Sequence, residues 1–319
     1  MNDDNLQTIR YKLQKRVRRL NSSNFQFFHF NAIQLLNFVK SNEILLNLAI
    51  VLESRWPDLP AEVDRILNGE GLVFDNEDEN AAAGFIVLKK CAETKNERIE
   101  IQVGNAYGRG KSDEALETFK DLFVETFYEY LDEHLDDSRN LLNLLLRFKR
   151  SCEWFNRDRL LNNYVGNTGA GENTLANHLY EYLYDQGIDF HVEPKTDTGR
   201  IDLISDQVGT ERLLVDAKIY DPEGSKNKAY IAKGYNQMLT YQHEYNETVG
   251  YLVIFQTSGN DLSIILKEKD NKIPFIQHKN KVTFFVVVDL RNLPSASKRG
   301  QHETTVITED DLVTIVGSA

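Results

Sequence analysis

Through the first 160 residues, apolar positions recur every three or four residues, the period of an amphipathic helix. "NAIQLLNFVKSNEILLNLAIVLESRW" (31–56) keeps that spacing until Pro57 and Pro60 interrupt it, and "AEVDRILNG" (61–69) predicts a short helix closed by Gly69. "DNEDEN" (75–80) reads as an acidic loop and "AAAGFIVLKKCAE" (81–93) as a further helix. From Asp113 to about Phe155 the helical pattern continues, with one break expected at "DDSRN" (136–140). Leu116, Phe119, Phe123, Phe127, Tyr130 and Leu131 fall on one face of it, as a core stripe would.

The pattern changes after "NTGAGEN" (167–173). "GENTLANHLYEYLYDQG" (171–187) predicts a helix ended by Gly187. Strand-like runs follow at "FHVEP" (190–194), "RIDLIS" (200–205) and "RLLVDAKIY" (212–220), then a helix at "AYIAKGYNQMLTYQHEY" (229–245). "VGYLVIFQTS" (249–258) and "KVTFFVVVDLR" (281–291) are apolar strands, and "TEDDLVTIV" (308–316) opens with a capping pattern. This order implies a central mixed sheet flanked by helices, preceded by a mainly helical domain. The expected division is residues 1–160 and 161–319.

In "LLVDAKIY" the alternation puts Leu213, Val215, Ala217 and Ile219 on one face and Asp216 with Lys218 on the other. Unpaired ions are costly to remove from water, so the charged face is either wet or lines a site that compensates it. Asp202, fourteen residues before Asp216, lies on the preceding strand-like run. Carboxylates on neighbouring strands make a hard oxygen site of the kind Mg²⁺ takes. A lysine beside such an ion can orient a water or offset charge on a phosphate. Glu172 opens the helix before these strands. Lys233, Gln237 and Tyr241 lie on one side of the helix after them.

The ordered set Glu172, Asp202, Asp216–Ala217–Lys218, Gln237 and Tyr241 resembles the PD-(D/E)xK nuclease superfamily, the restriction-endonuclease-like fold. "QMLTY" is similar to the glutamine–tyrosine element of its RecB-like branch, and the resemblance spans roughly residues 165–290. Ile201 stands where the superfamily usually has proline. The resemblance implies that Asp202, Asp216 and the Ala217 carbonyl ligate Mg²⁺, with Mn²⁺ as a substitute. It implies that Glu172 supports the metal or its water and that Lys218 positions the attacking water. Gln237 and Tyr241 would then brace the site or touch substrate. The implied activity is metal-dependent hydrolysis of phosphodiester bonds, most simply by a DNA endonuclease of restriction or antiviral defence. The alternatives are an RNA-directed or exonucleolytic enzyme, or a nuclease scaffold that binds nucleic acid without cutting.

Bulk properties narrow the setting. The chain has 319 residues, 41% hydrophobic and 27% charged, and a net charge of −12. An acidic molecule needs a local basic patch to approach phosphate. Lys226, Lys228 and Lys233, just after the strand motif, are the candidates for that contact. "YKLQKRVRRL" (11–20) and "LRFKRSCEWFNRDR" (146–159) are further basic runs, each also explained by cations on the wet side of a helix. Two distant cysteines give neither a disulfide framework nor zinc spacing, and the seven histidines form no paired ligand spacing. No apolar run approaches the ~18 residues of a membrane span and no signal segment is visible, so a cytoplasmic protein is expected, with a homodimer as the simplest assembly for cutting both strands of duplex DNA. "IEIQVGNAYGRGKSDEALETF" (99–119) imitates a phosphate loop. Its Gly104 is one place out of register with Gly110, Lys111 and Ser112, so a glycine hairpin or helix-entry loop is expected instead.

Overall fold

The apolar period of three to four does produce helices through the first part of the chain, but shorter and more numerous ones than the spacing alone predicts. They are α1 (Asp3–Asn21), α2 (Phe28–Ser41), α3 (Glu43–Ser54), α4 (Leu59–Leu67), α5 (Glu77–Glu93), α6 (Ile99–Tyr107), α7 (Ser112–Phe119) and α8 (Thr126–Leu135). The computed structural model describes residues 3–74, 76–94, 96–108, 110–135, 141–168, 171–188, 191–192, 203–204, 214–266, 273–292 and 303–313. The chain divides into two units, Met1–Asn140 and Leu141–Ala319, so the division falls earlier than 160/161 and residues 141–160 go with the second unit.

The run 31–56 is broken at Asn42. That residue is extended, and its side chain accepts from the backbone N–H groups of Ile44 and Leu45, each at 3.1 Å. Capping a second helix satisfies donors that a continuous helix would have satisfied internally, and the chain turns by 100°. Among the described residues no single helix is long and apolar enough to cross a membrane. The pair α2 and α3 passes that test only jointly, across this bend, and its apolar residues Phe28, Leu35, Leu45 and Leu52 lie in the core.

Two further expectations change in this unit. Most of the acidic loop is the first turn of α5: Asn76 caps it, and Glu77, Asp78 and Glu79 sit where the helix dipole favours acids. The apparent phosphate loop begins with a helix, α6, and not with a strand. A Cβ on Gly104 would come within 1.9 Å of the Ala115 carbonyl oxygen, so this glycine lets α6 lie against α7. Lys111 precedes α7 and donates its backbone N–H to Glu114 at 3.1 Å. The stripe from Leu116 to Leu131 is buried as expected, although the backbone between α7 and α8 widens into a π-helical stretch at Lys120–Glu125.

The second unit begins with α9 (Leu141–Ser151), a π-helical turn at Cys152–Asn156, α10 (Arg157–Gly166) and α11 (Gly171–Asp185). There follow β1 (His191–Val192), β2 (Leu203–Ile204), β3 (Leu214–Tyr220), α12 (Lys228–Glu244) and β4 (Val249–Gln256). The described chain closes with β5 (Asp261–Ile265), β6 (Phe275–His278), β7 (Lys281–Asp289), β8 (Thr304–Thr308) and α13 (Glu309–Val313). The main sheet has the order β1-β2-β3-β4-β7-β6. β1, β2 and β3 are antiparallel, β3, β4 and β7 are parallel, and β6 is antiparallel to β7. The expected mixed sheet with flanking helices is therefore present. The short strands β5, β6 and β8 were not legible in the pattern, and β5 pairs with β8 in a separate parallel pair. The capping pattern before α13 is formed: Thr308 N donates to Asp311 at 2.8 Å and Asp311 N donates to Thr308 Oγ1 at 3.3 Å.

Helices cover both faces of the sheet, as its parallel strands require. On one face Phe148 of α9 meets Phe255 of β4 edge-on at 6.0 Å. On the other, α12 packs Ile231, Tyr235 and Leu239 with Leu252, Ile254 and Phe285. Gln242 fixes α12 there. It is fully buried, donates to the carbonyls of Thr248 and Val282 at 3.0 and 2.9 Å, and accepts from Thr283 at 3.1 Å.

Candidate functional site

The centre of β3 rules out one of the two readings of its charged face. That face is not wet: Asp216 is 1% exposed and Lys218 is 4% exposed. The Lys218 ammonium lies 2.8 Å from Asp216 Oδ1 and 2.6 Å from Oδ2. Two ions withdrawn from water cost several kcal/mol each, so the pair persists by direct mutual neutralisation. Leu214, Asp216, Lys218 and Tyr220 share the face that α12 covers, with Leu214 against Met238 and Tyr220 grouped with Ile231. Lys218 crosses α12 at Gly234, where an added Cβ would meet its Cγ, Cε and Cδ at 2.8, 3.0 and 3.2 Å. Asp216 thus sits between the Leu214–Met238 and Lys218–Gly234 contacts.

Asp202 lies outside the described residues. Its successor Leu203 pairs with Val215, the residue preceding Asp216. Ala217 is buried in β3, in register with Val253 of β4.

Glu172 lies in the first turn of α11, as expected, and forms a second polar group. The Tyr230 hydroxyl donates to its carboxylate at 2.6 Å, and Lys226 Nζ lies 3.0 Å from Oε2. Lys226 also stands 5.9 Å from the Tyr164 ring centre and 5.7 Å from that of Tyr230, within cation–π range. Lys226 is therefore engaged by a carboxylate, Lys228 lies 3.8 Å from Asp311, and Lys233 is exposed. Gln237 and Tyr241 meet as the spacing predicts, the Gln237 amide donating to the Tyr241 hydroxyl, while Tyr241 packs beside Leu214 and Met238.

Asp221, directly after β3, was missed by sequence reasoning. It is 8% exposed and accepts from the Tyr164 hydroxyl at 2.7 Å, from Gly224 N at 3.1 Å and from the Ser258 hydroxyl. Burial pushes its carboxyl up, but hydrogen bonds from Ser258, Tyr164 and Gly224 and the nearby Lys226 charge outweigh that and hold it below the ordinary value. Burial and the Asp221 carboxylate push the Tyr164 hydroxyl up. The turn is shaped by reciprocal backbone bonds between Asp221 and Lys226 at 2.8 and 2.9 Å and by Ser225 in the left-handed region. The one signal in the sequence was "DPEG" directly after the strand, an ordinary turn pattern.

The donor type suits Mg²⁺, since Asp216 and Glu172 offer carboxylate oxygens. Among the described residues no three His, Cys, Asp or Glu side chains are grouped to hold a metal ion. Comparison of the chain with family models, with curated proteins and with solved structures returned no match.

Proposed function

We infer that the second unit is a metal-dependent phosphodiester hydrolase of the restriction-endonuclease-like kind, acting on DNA. The observation that carries this reading is the buried Asp216–Lys218 pair at the centre of β3. A buried ion pair adds little stability over an apolar pair of similar volume, so its retention in a core strand asks for another reason. The element order supports the same reading: α11 with Glu172, antiparallel strands ending in β3, then α12 with Gln237 and Tyr241, then β4 parallel to β3.

Asp202, Asp216, the Ala217 carbonyl and Glu172 would hold Mg²⁺, which when bound supplies Lewis acidity and a more acidic water. Lys218 orients the attacking water and offsets the charge that develops on the phosphate. Its reach is set by Gly234, whose missing side chain leaves room for the lysine stem. The Tyr230 hydroxyl and Lys226 hold Glu172 in one orientation. Gln237 and Tyr241 brace the neighbouring stretch of α12. The helical first unit would sense, assemble or restrain the hydrolase, and a dimer would cut both strands.

A second reading, a nucleic-acid-binding protein without catalysis, is favoured by the closure of the pair: Lys218 spans both Asp216 oxygens. Cleavage of supercoiled, linear duplex and single-stranded DNA and of RNA, with Mg²⁺, separates the two. Wild type should cut, and Lys218→Met and Asp202→Asn should each lose on the order of 100-fold or more in rate. Thermal unfolding identifies any variant that has failed to fold. A folded Asp202→Asn protein cutting at the wild-type rate would overturn the catalytic assignment.

A further inference from the structure

The turn between α9 and α10 presents two large aromatic side chains to water. Trp154 and Phe155 are 81% and 85% exposed, whereas Phe148 in the same basic run is buried. They are consecutive residues of the π-helical turn Cys152–Asn156. π-turns inside helices are found frequently at functional sites. The turn is firmly held on its inner side. Cys152 is buried, and the Glu153 carboxylate accepts from Asp289 N at 2.9 Å and from Lys149. Asn156 Nδ2 donates back to the Ser151 carbonyl at 3.3 Å and to its hydroxyl at 3.2 Å. The rings therefore project from an anchored backbone.

The segment around them is net cationic. Arg150 and Arg159 are exposed and Arg157 is half-buried, against an exposed Asp158, while Glu153 is occupied by Lys149 and the sheet. Arg159 also donates to Asn156, the residue after Phe155, at 3.1 Å. In a chain of net charge −12 this concentration of arginine runs against the average field. Exposed aromatics interleaved with arginines match one ligand chemistry closely: unpaired bases, which stack on the rings, joined by phosphates, which the guanidinium groups hold.

We propose that the Cys152–Asn156 turn is a stacking platform for single-stranded nucleic acid. Trp154 and Phe155 take bases, and Arg150, Arg157 and Arg159 take the flanking phosphates. The base faces of a duplex are already stacked on one another, so the platform discriminates against double strands. As a surface for the unpaired ends of a DNA substrate it rests on the hydrolase reading of β3. As a binding surface it stands without it.

Trp56 and Trp154 are the two tryptophans of the chain, so Trp56→Phe isolates the emission of Trp154. This protein is titrated in metal-free buffer with oligo-dT and with a duplex of equal length, at two salt concentrations. Oligo-dT should quench Trp154 and bind more tightly than duplex, with affinity falling as salt rises. Trp154→Ala/Phe155→Ala should weaken oligo-dT binding, followed by its anisotropy, about tenfold or more without changing the melting temperature. Equal affinity with and without the two rings overturns the proposal. So does loss of self-association with oligonucleotide affinity intact, which would make the turn an interface between copies. Binding through Trp154 without cleavage by wild type would sink the hydrolase reading and leave the platform. Cleavage with no Trp154 response would do the reverse.

Discussion

Two carboxylates at the two ends of one stretch of chain, Asp216 in the body of β3 and Asp221 just beyond it, are both buried and are partnered by opposite means. Asp216 faces the full positive charge of Lys218 at 2.6 Å. Asp221 is surrounded by neutral donors from Tyr164, Gly224 and Ser258, with Lys226 as a more distant charge. A counter-charge is strong, and losing it strands an ion. A cage of dipoles divides the same task among several partners, each expendable at lower cost. The first arrangement suits a group that must exchange its partner for another cation or for water. The second suits a group that must stay as it is and shape a turn.

The sharpest way to break this contrast is Lys218→Met. It leaves the Asp216 carboxylate buried without its ammonium and should cost about 3–5 kcal/mol in urea unfolding. Adding Asp216→Asn should restore part of it. A loss under about 1 kcal/mol would mean that the pair behaves as a surface pair. Next in size is Gly234→Ala, whose new methyl meets the lysine stem. It should cost about 1–3 kcal/mol by overpacking, and much less in a Lys218→Ala background. Strict additivity in that double-mutant cycle would show that Lys218 does not lie against Gly234.

Smallest is Asp221→Asn, expected to cost about 1 kcal/mol at neutral pH. Its pH dependence carries the information. The folded-state pKa is depressed, so the carboxylate's contribution is fully present above its unfolded value of about 3.9 and is lost as pH falls through the lower folded value. Wild type and variant should therefore differ by a constant amount near neutrality and converge below about pH 4. A gap that widens on acidification would contradict the hydrogen-bonded cage.

Much of this contrast could be read before any coordinates, and its limits have physical causes. Alternation placed Asp216 and Lys218 on one strand face, and four-residue spacing joined Gln237 to Tyr241. Burial of the charged face could not be read, because it depends on Gly234 crossing Lys218 from another element. Asp221 was invisible for the same reason: two of its donors, Tyr164 and Ser258, are distant in sequence. The helix break at Asn42 was not legible, because its cap lies inside a continuous apolar period. The polar half of α6 imitated a loop-and-strand pattern because its inward face is narrow and partly glycine. Trp154 and Phe155 defied the usual expectation that aromatics in a basic helical run turn inward.

The pairing of β5 with β8 has a consequence for how the chain assembles. The partners are residues 261–265 and 304–308, joined in parallel, with β6 and β7 between them in sequence. Until the later strand arrives, β5 offers an open edge with Ile264 and Ile265 on it. Open edges of this kind recruit strands from other chains. Closing so long a loop is slow relative to local helix formation, so β5 is expected to stay open to such recruitment until residues 304–308 pair with it. The segment 304–308 thus acts as a late-arriving guard on an edge laid down well before it.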